Sequence, residues 1–139
     1  MSGFGDYYQS VMSKLAGVIS GAVVFEDIKV GAWKQEVDSY PSCFILEGVT
    51  VLSPVTTLLS TNFMDFTILV VDHTETLDAG RVSVLNKAGE VKDALENDRW
   101  LTETIRKLEV LRFLPNWNQP HDTFYRWECA IEIRCEIER

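Results

Sequence analysis

The stretch YRWECAIEIRCEIE, residues 125–138, constrains the fold more than any other part of the chain. Tyr125, Trp127, Cys129, Ile131, Ile133, Cys135 and Ile137 alternate with Arg126, Glu128, Ala130, Glu132, Arg134, Glu136 and Glu138. Successive side chains of a strand point to opposite faces, so a period of two over this length predicts one long strand with a dry face and a charged face. A dry face of that size needs a second layer to cover it. The other face carries both signs, at Arg126, Glu128, Glu132, Arg134 and Glu136. Such a face suits pairing with a neighbour's charges or lining an aqueous channel. Paired carboxylates such as Glu132 and Glu136 can do acid/base work, but interleaved arginines make a charged ladder the simpler reading.

Two helical stretches can supply the covering layer. In residues 4–20, Phe4, Tyr8, Val11, Leu15 and Val18 recur at the spacing of one helical face, and Met12 and Ile19 widen it. Gly21 is a stop signal. In residues 76–98, Val84, Ala88, Val91 and Leu95 form a second apolar face, with Asp78 placed to cap the helix.

The remaining strands are less regular. YPSCFILEGV (40–49) is an apolar run led by proline, which the first position of a strand tolerates. NFMDFTILVVDHT (62–74) sets Phe66, Ile68 and Val70 against Thr67, Leu69 and Val71. Residues 100–115 read as a strand ending at Pro115, with Leu108, Val110 and Arg112 on one face and Glu109, Leu111 and Phe113 on the other. Residues 22–40 are less regular: their start reads as a short strand or as the end of the first helix, and VGAWKQEVDSY as a connection, while NWNQPHD (116–122) is a turn-rich loop. The expected order is helix, strand, strand, helix, strand, strand. It predicts an α+β domain of two layers, a mostly antiparallel sheet with both main helices packed on one face, spanning residues 1–139.

Residues 49–61, VTVLSPVTTLLST, break the pattern. No charged residue occurs between Glu47 and Asp65. A solvated hairpin tip carries polar turn residues, whereas an apolar, β-prone arm is a liability unless something covers it. Val51, Leu52, Val55, Leu58 and Leu59 are therefore candidate anchors for a neighbouring subunit. The competing reading is an arm folded back over its own core.

With 139 residues, 46% of them apolar, the chain is long enough to bury a core without staples. A formal charge of -8 argues against a general nucleic-acid binder and against docking on an anionic membrane. No run approaches the roughly 20 apolar residues that span a bilayer, and no secretory leader pattern opens the sequence, which points to a cytoplasm. Three cysteines do not make a disulfide framework. Cys129 and Cys135 lie six positions apart, roughly 20 Å along a strand at about 3.3 Å per residue. A bridge needs Cα atoms within about 7 Å, so these thiols read as small buried hydrophobes.

Little in the chain points to catalysis. His73 and His121 are the only histidines. Asp72, His73 and Glu75 are metal-ligand types, but neighbours on a strand diverge and no zinc-like spacing follows. No phosphate loop, dinucleotide fingerprint or nucleophile elbow occurs. Trp127 belongs to the dry face, while Trp33 and Trp117 fall in connections, where they pack beneath a loop or anchor a partner. An enzyme on a ferredoxin-like sheet would have to rest on Asp72, His73 and His121. A monomeric adaptor for a basic partner would rest on the charged strand face.

The succession of an amphipathic first helix, YPSCFILEG, NFMDFTILVVDHT, the helix RVSVLNKAGEVKDALE and the closing WECAIEIRCEIE resembles the tail-terminator and tail-completion proteins of tailed bacteriophages over about residues 5–138. The resemblance implies a structural virion protein without enzymatic activity or cofactor, assembled in the host cytoplasm. It implies a homo-hexameric ring that caps the tail tube protein, stops its elongation and joins a head connector or neck protein. DNA would pass the lumen unbound, and the acidic balance suits such a bore. A closing strand without a tail suits a packed ring. A neck or head-completion protein is the alternative within the same class.

Overall fold

The computed structural model describes residues 4–31, 40–52, 61–74, 77–97, 105–115, 119–120 and 125–138. Two helices, α1 (Phe4–Ala22) and α2 (Leu77–Leu95), lie with a sheet made from β1 (Asp27–Val30), β2 (Ser42–Leu52), β3 (Thr61–Thr74), β4 (Ile105–Pro115), β5 (Gln119–Pro120) and β6 (Tyr125–Glu138). The sheet runs β1-β2-β3-β6-β4, and β5 adds to the start of β6. Every pairing is antiparallel except β1 with β2. The architecture is the expected α+β one.

The order differs from expectation by two strands, β1 and the two-residue β5, which lies in the stretch 116–122 expected as a loop. DIKV (27–30), in the less regular stretch, forms β1 and pairs in parallel with Ser42–Ile45. A four-residue parallel edge needs no alternation of its own, because its register comes from β2. Gly31 then turns the chain away at a φ of 72°, where a side chain would be strained, and its N–H donates to the Ile45 carbonyl at 2.7 Å. Strand β2 follows a cis Tyr40–Pro41 bond.

Helix α1 buries Val11, Met12, Leu15 and Ile19, and Val23 just beyond it continues the stripe. Val18 is only partly buried against this core, so the buried face is rotated from the one centred on Val11, Leu15 and Val18. In α2, Val84, Ala88, Val91 and Leu95 are buried as expected. The helix starts at Leu77, which puts Asp78 inside its first turn rather than before it. The helices meet Cys43, Ile45, Met64, Phe66, Ile68, Val70, Cys129, Ile131, Ile133 and Cys135 on one face of the sheet. Full burial of a Leu, Ile or Phe side chain contributes about 1.5–3 kcal/mol relative to exposure, and this layer is the main source of stability.

Three bulges interrupt β2 and β4. Between Glu47 and Thr50, β2 gains a residue against β3. There a side chain on Gly48 would come within 2.8 Å of the Asp65 carbonyl oxygen, so only glycine fits the close backbone approach. Between Val110 and Arg112, β4 gains a residue against Ile133 and Glu132 of β6. The bulge reverses the phase of β4. Phe113, not Arg112, joins Leu108 and Val110 against the core, and Arg112 turns to the other face. A second bulge in β4 separates Ile105 from Lys107.

Candidate functional site

The helix-free face of the sheet is the chain's candidate contact surface, and it divides into a sealed part and an open charged part. The sealed part is apolar at Phe44, Leu69 and Val71, with Tyr40 and Ala130 packed on it. Beside it lie Arg126 and Glu128, 2% and 4% exposed, with Arg126 Nη2 donating to Glu128 Oε1 at 2.8 Å. These two residues were expected to face outward with the rest of the ladder. They do not; they are neutralised inside the protomer, because a buried charge needs an opposite partner at contact distance.

The open part is built from β3, β6 and β4, and register dictates its pattern. Asp65 of β3 pairs with Arg134 of β6, which pairs with Glu109 of β4. One row over, Thr67, Glu132 and Arg112 align, and on the other side Phe63, Glu136 and Lys107. Signs therefore alternate along β6 and along β4, and between paired charges across the strands. Arg134 grips Asp65 with two bonds, Nε to Oδ1 at 2.7 Å and Nη2 to Oδ2 at 3.0 Å. Arg112 Nε donates to Glu132, and Lys107 reaches Glu109 at 3.0 Å. The hydrogen bonds and the carboxylates behind them raise the proton affinity of Arg134, Arg112 and Lys107. Phe63, Lys107, Glu109, Arg134 and Glu136 line a shallow groove, with the Arg134 guanidinium 5.7 Å from the Phe63 ring centre. Four carboxylates face three cations, so this patch is close to neutral and the chain's acidity lies elsewhere.

Of the sequence-derived contact residues, Glu132, Arg134 and Glu136 come together in this open patch, partly exposed. Asp65, Lys107, Glu109 and Arg112 complete it. Alternation along β6 could not name them, since they come from strands whose register the sequence does not state. Val51 and Leu52 end β2, opposite Phe63 and Asn62. Val55, Leu58 and Leu59 lie outside the described residues. So do Glu75, His121, Trp33 and Trp117.

The catalytic alternative finds no support at its described residues. Asp72 is 7% exposed, and its carboxylate accepts from Ser83 Oγ at 2.9 Å and from the His73 N–H at 2.8 Å. The serine thus gives its hydrogen bond directly to the acid, tying α2 to the end of β3. His73 Nδ1 stays 3.8 Å from Asp72, and its ring lies 4.6 Å from that of Tyr40. A general base must reach the hydroxyl it activates, and here no histidine stands between acid and serine. Among the described residues, no three His, Cys, Asp or Glu side chains could hold a metal ion. Cys43, Cys129 and Cys135 are free and buried. Burial pushes the Cys43 and Cys135 thiols up to about 12, the inert form rather than the nucleophile.

No protein-family model matches the sequence, and no curated protein does. A chain in the solved virion of a native gene transfer agent particle is similar to this one, at 19% identity and a TM-score of 0.47, over 88% of this chain and 84% of that chain. At that level of likeness no function transfers from it.

Proposed function

We propose that the chain is a structural virion protein of a tailed phage, a ring subunit that caps the tail tube, stops its elongation and offers a joining surface to the head or neck. The observation that carries this reading is the charge-free sequence between Glu47 and Asp65, which joins β2 to β3. Strands β2 and β3 stay paired to Leu52 and Asn62, and the sequence that joins them carries no charge. The pairing of Thr61 with Glu138 sets the start of β3 beside the end of β6. A closed ring needs two different surfaces on each subunit that fit one another. The apolar stretch between β2 and β3 and the polar open sheet face would be two such surfaces. The chain then works by shape and contact, without catalysis or cofactor, and the duplex passes without being gripped.

Replacing Leu58 and Leu59 with Asp tests that stretch. The wild-type chain is expected to form a ring by light scattering and to complete tails. The double variant is expected to lose both. An unchanged oligomer with normal tails would sink the claim.

A further inference from the structure

We propose that the free edge of β4 is a second interaction surface, and that its partner is β4 of a second copy, joined antiparallel about a two-fold axis through the Val110–Leu111 bulge. Strand β4 ends the sheet, and no described strand pairs with its outer edge. Leu111 and Leu114 on it are 43% and 40% exposed.

The bulge fits this edge to itself. In a regular strand Glu109 and Arg112, three apart, would face opposite sides of the sheet. The extra residue between Val110 and Arg112 puts both on the helix-free face, where they pair with Arg134 and Glu132. It likewise puts Leu108 and Phe113 together on the core face. Counted outward from the bulge, Glu109 and Arg112 are each the first position and Leu108 and Phe113 each the second. A two-fold through the bulge therefore sets Glu109 of each copy opposite Arg112 of the other, and Leu108 opposite Phe113. Charge meets opposite charge and apolar meets apolar, on the correct face in both cases.

The alternation of signs also continues across the junction. Asp65, Arg134 and Glu109 of one copy would be followed by Arg112 and Glu132 of the next. Main-chain hydrogen bonds supply affinity in such strand addition, and side-chain matches supply register. Bulges and charges usually blunt an edge against arbitrary strands. Here they reject other sequences while accepting this one. The contact is isologous and yields dimers, so it stands apart from the ring reading, which needs a heterologous one.

Sedimentation of the full-length chain across a dilution series tests the proposal. The wild type is expected to show a reversible dimer that weakens as salt is raised. E109R alone and R112E alone each set like charges opposite one another and are expected to give monomer. The E109R/R112E double variant restores opposite signs and is expected to recover the dimer, which separates pairing from misfolding. A wild type without a dimer species, single reversals that still dimerise, or a double variant that stays monomeric would overturn it. A ring-sized species sensitive to the Leu58 and Leu59 changes but not to these reversals would support the ring reading alone.

Discussion

Arg134 on β6 holds both carboxylate oxygens of Asp65 on β3, at 2.7 and 3.0 Å, and so fixes the register of the two central strands on the face that the helices leave open. Two parallel bonds from a planar guanidinium are specific to arginine. Arg134→Lys keeps the charge but loses the fork. It is expected to lower the melting temperature slightly, and raised salt is expected to erase the difference, because the pair is partly exposed and screened. A loss that persists at high salt would mean that packing on Phe63, not the ion pair, is what Arg134 supplies.

Gly48 is predicted to be irreplaceable for a backbone reason. An added Cβ would sit 2.8 Å from the Asp65 carbonyl oxygen. Gly48→Ala is expected to cost about 1–3 kcal/mol, the usual range for forced overpacking. Urea denaturation measures it. A neutral result would show that the bulge between β2 and β3 relaxes freely.

The bulge in β4 makes a prediction that simple alternation reverses. Phe113 packs against the core although Arg112 was expected on that face, while Leu111 is exposed. Phe113→Ala is therefore expected to destabilise the chain clearly, by up to about 3 kcal/mol for a partly buried aromatic. Leu111→Ala is expected to stay within about 0.5 kcal/mol, as surface changes do. Equal losses would place both residues at the same depth.

Alkaline pH should unfold the protein through its thiols. Burial raises Cys43 and Cys135 to about 12 from 9.0. The folded chain thus keeps protons that the unfolded chain releases. Stability is then full below pH 9 and declines as pH rises towards 12. Cys135→Ala is expected to flatten that decline while lowering stability at neutral pH by leaving a small cavity. An unchanged alkaline slope would show that these thiols do not control it.

Much of the fold was legible because its longest elements carry clean periods. The α2 stripe, the dry face of β6 and the split of β3 into Phe66, Ile68 and Val70 against Leu69 and Val71 all follow from side-chain direction alone. Strand β1 was legible only as one of two readings of its stretch, a short strand or the helix end, since four residues pairing in parallel depend on a partner distant in sequence. The facing of Phe113 was hidden by a bulge, which is a property of two strands and not of one. Arg126 and Glu128 misled for a different reason. Charge type argues for exposure, and only the three-dimensional pairing shows that the two neutralise each other inside. The open patch was half visible, because β6 announces Glu132, Arg134 and Glu136 while their partners on β3 and β4 depend on register.

The proposed role at the end of a tail tube is tested most directly by mixing the purified chain with polymerising tail tube protein from the same source and imaging the tubes by electron microscopy. The account predicts short tubes of restricted length, each closed at one end by a ring of this chain, and loss of both effects when Leu58 and Leu59 are replaced with Asp. Tubes that grow as they do without the chain, with bare ends, would contradict it.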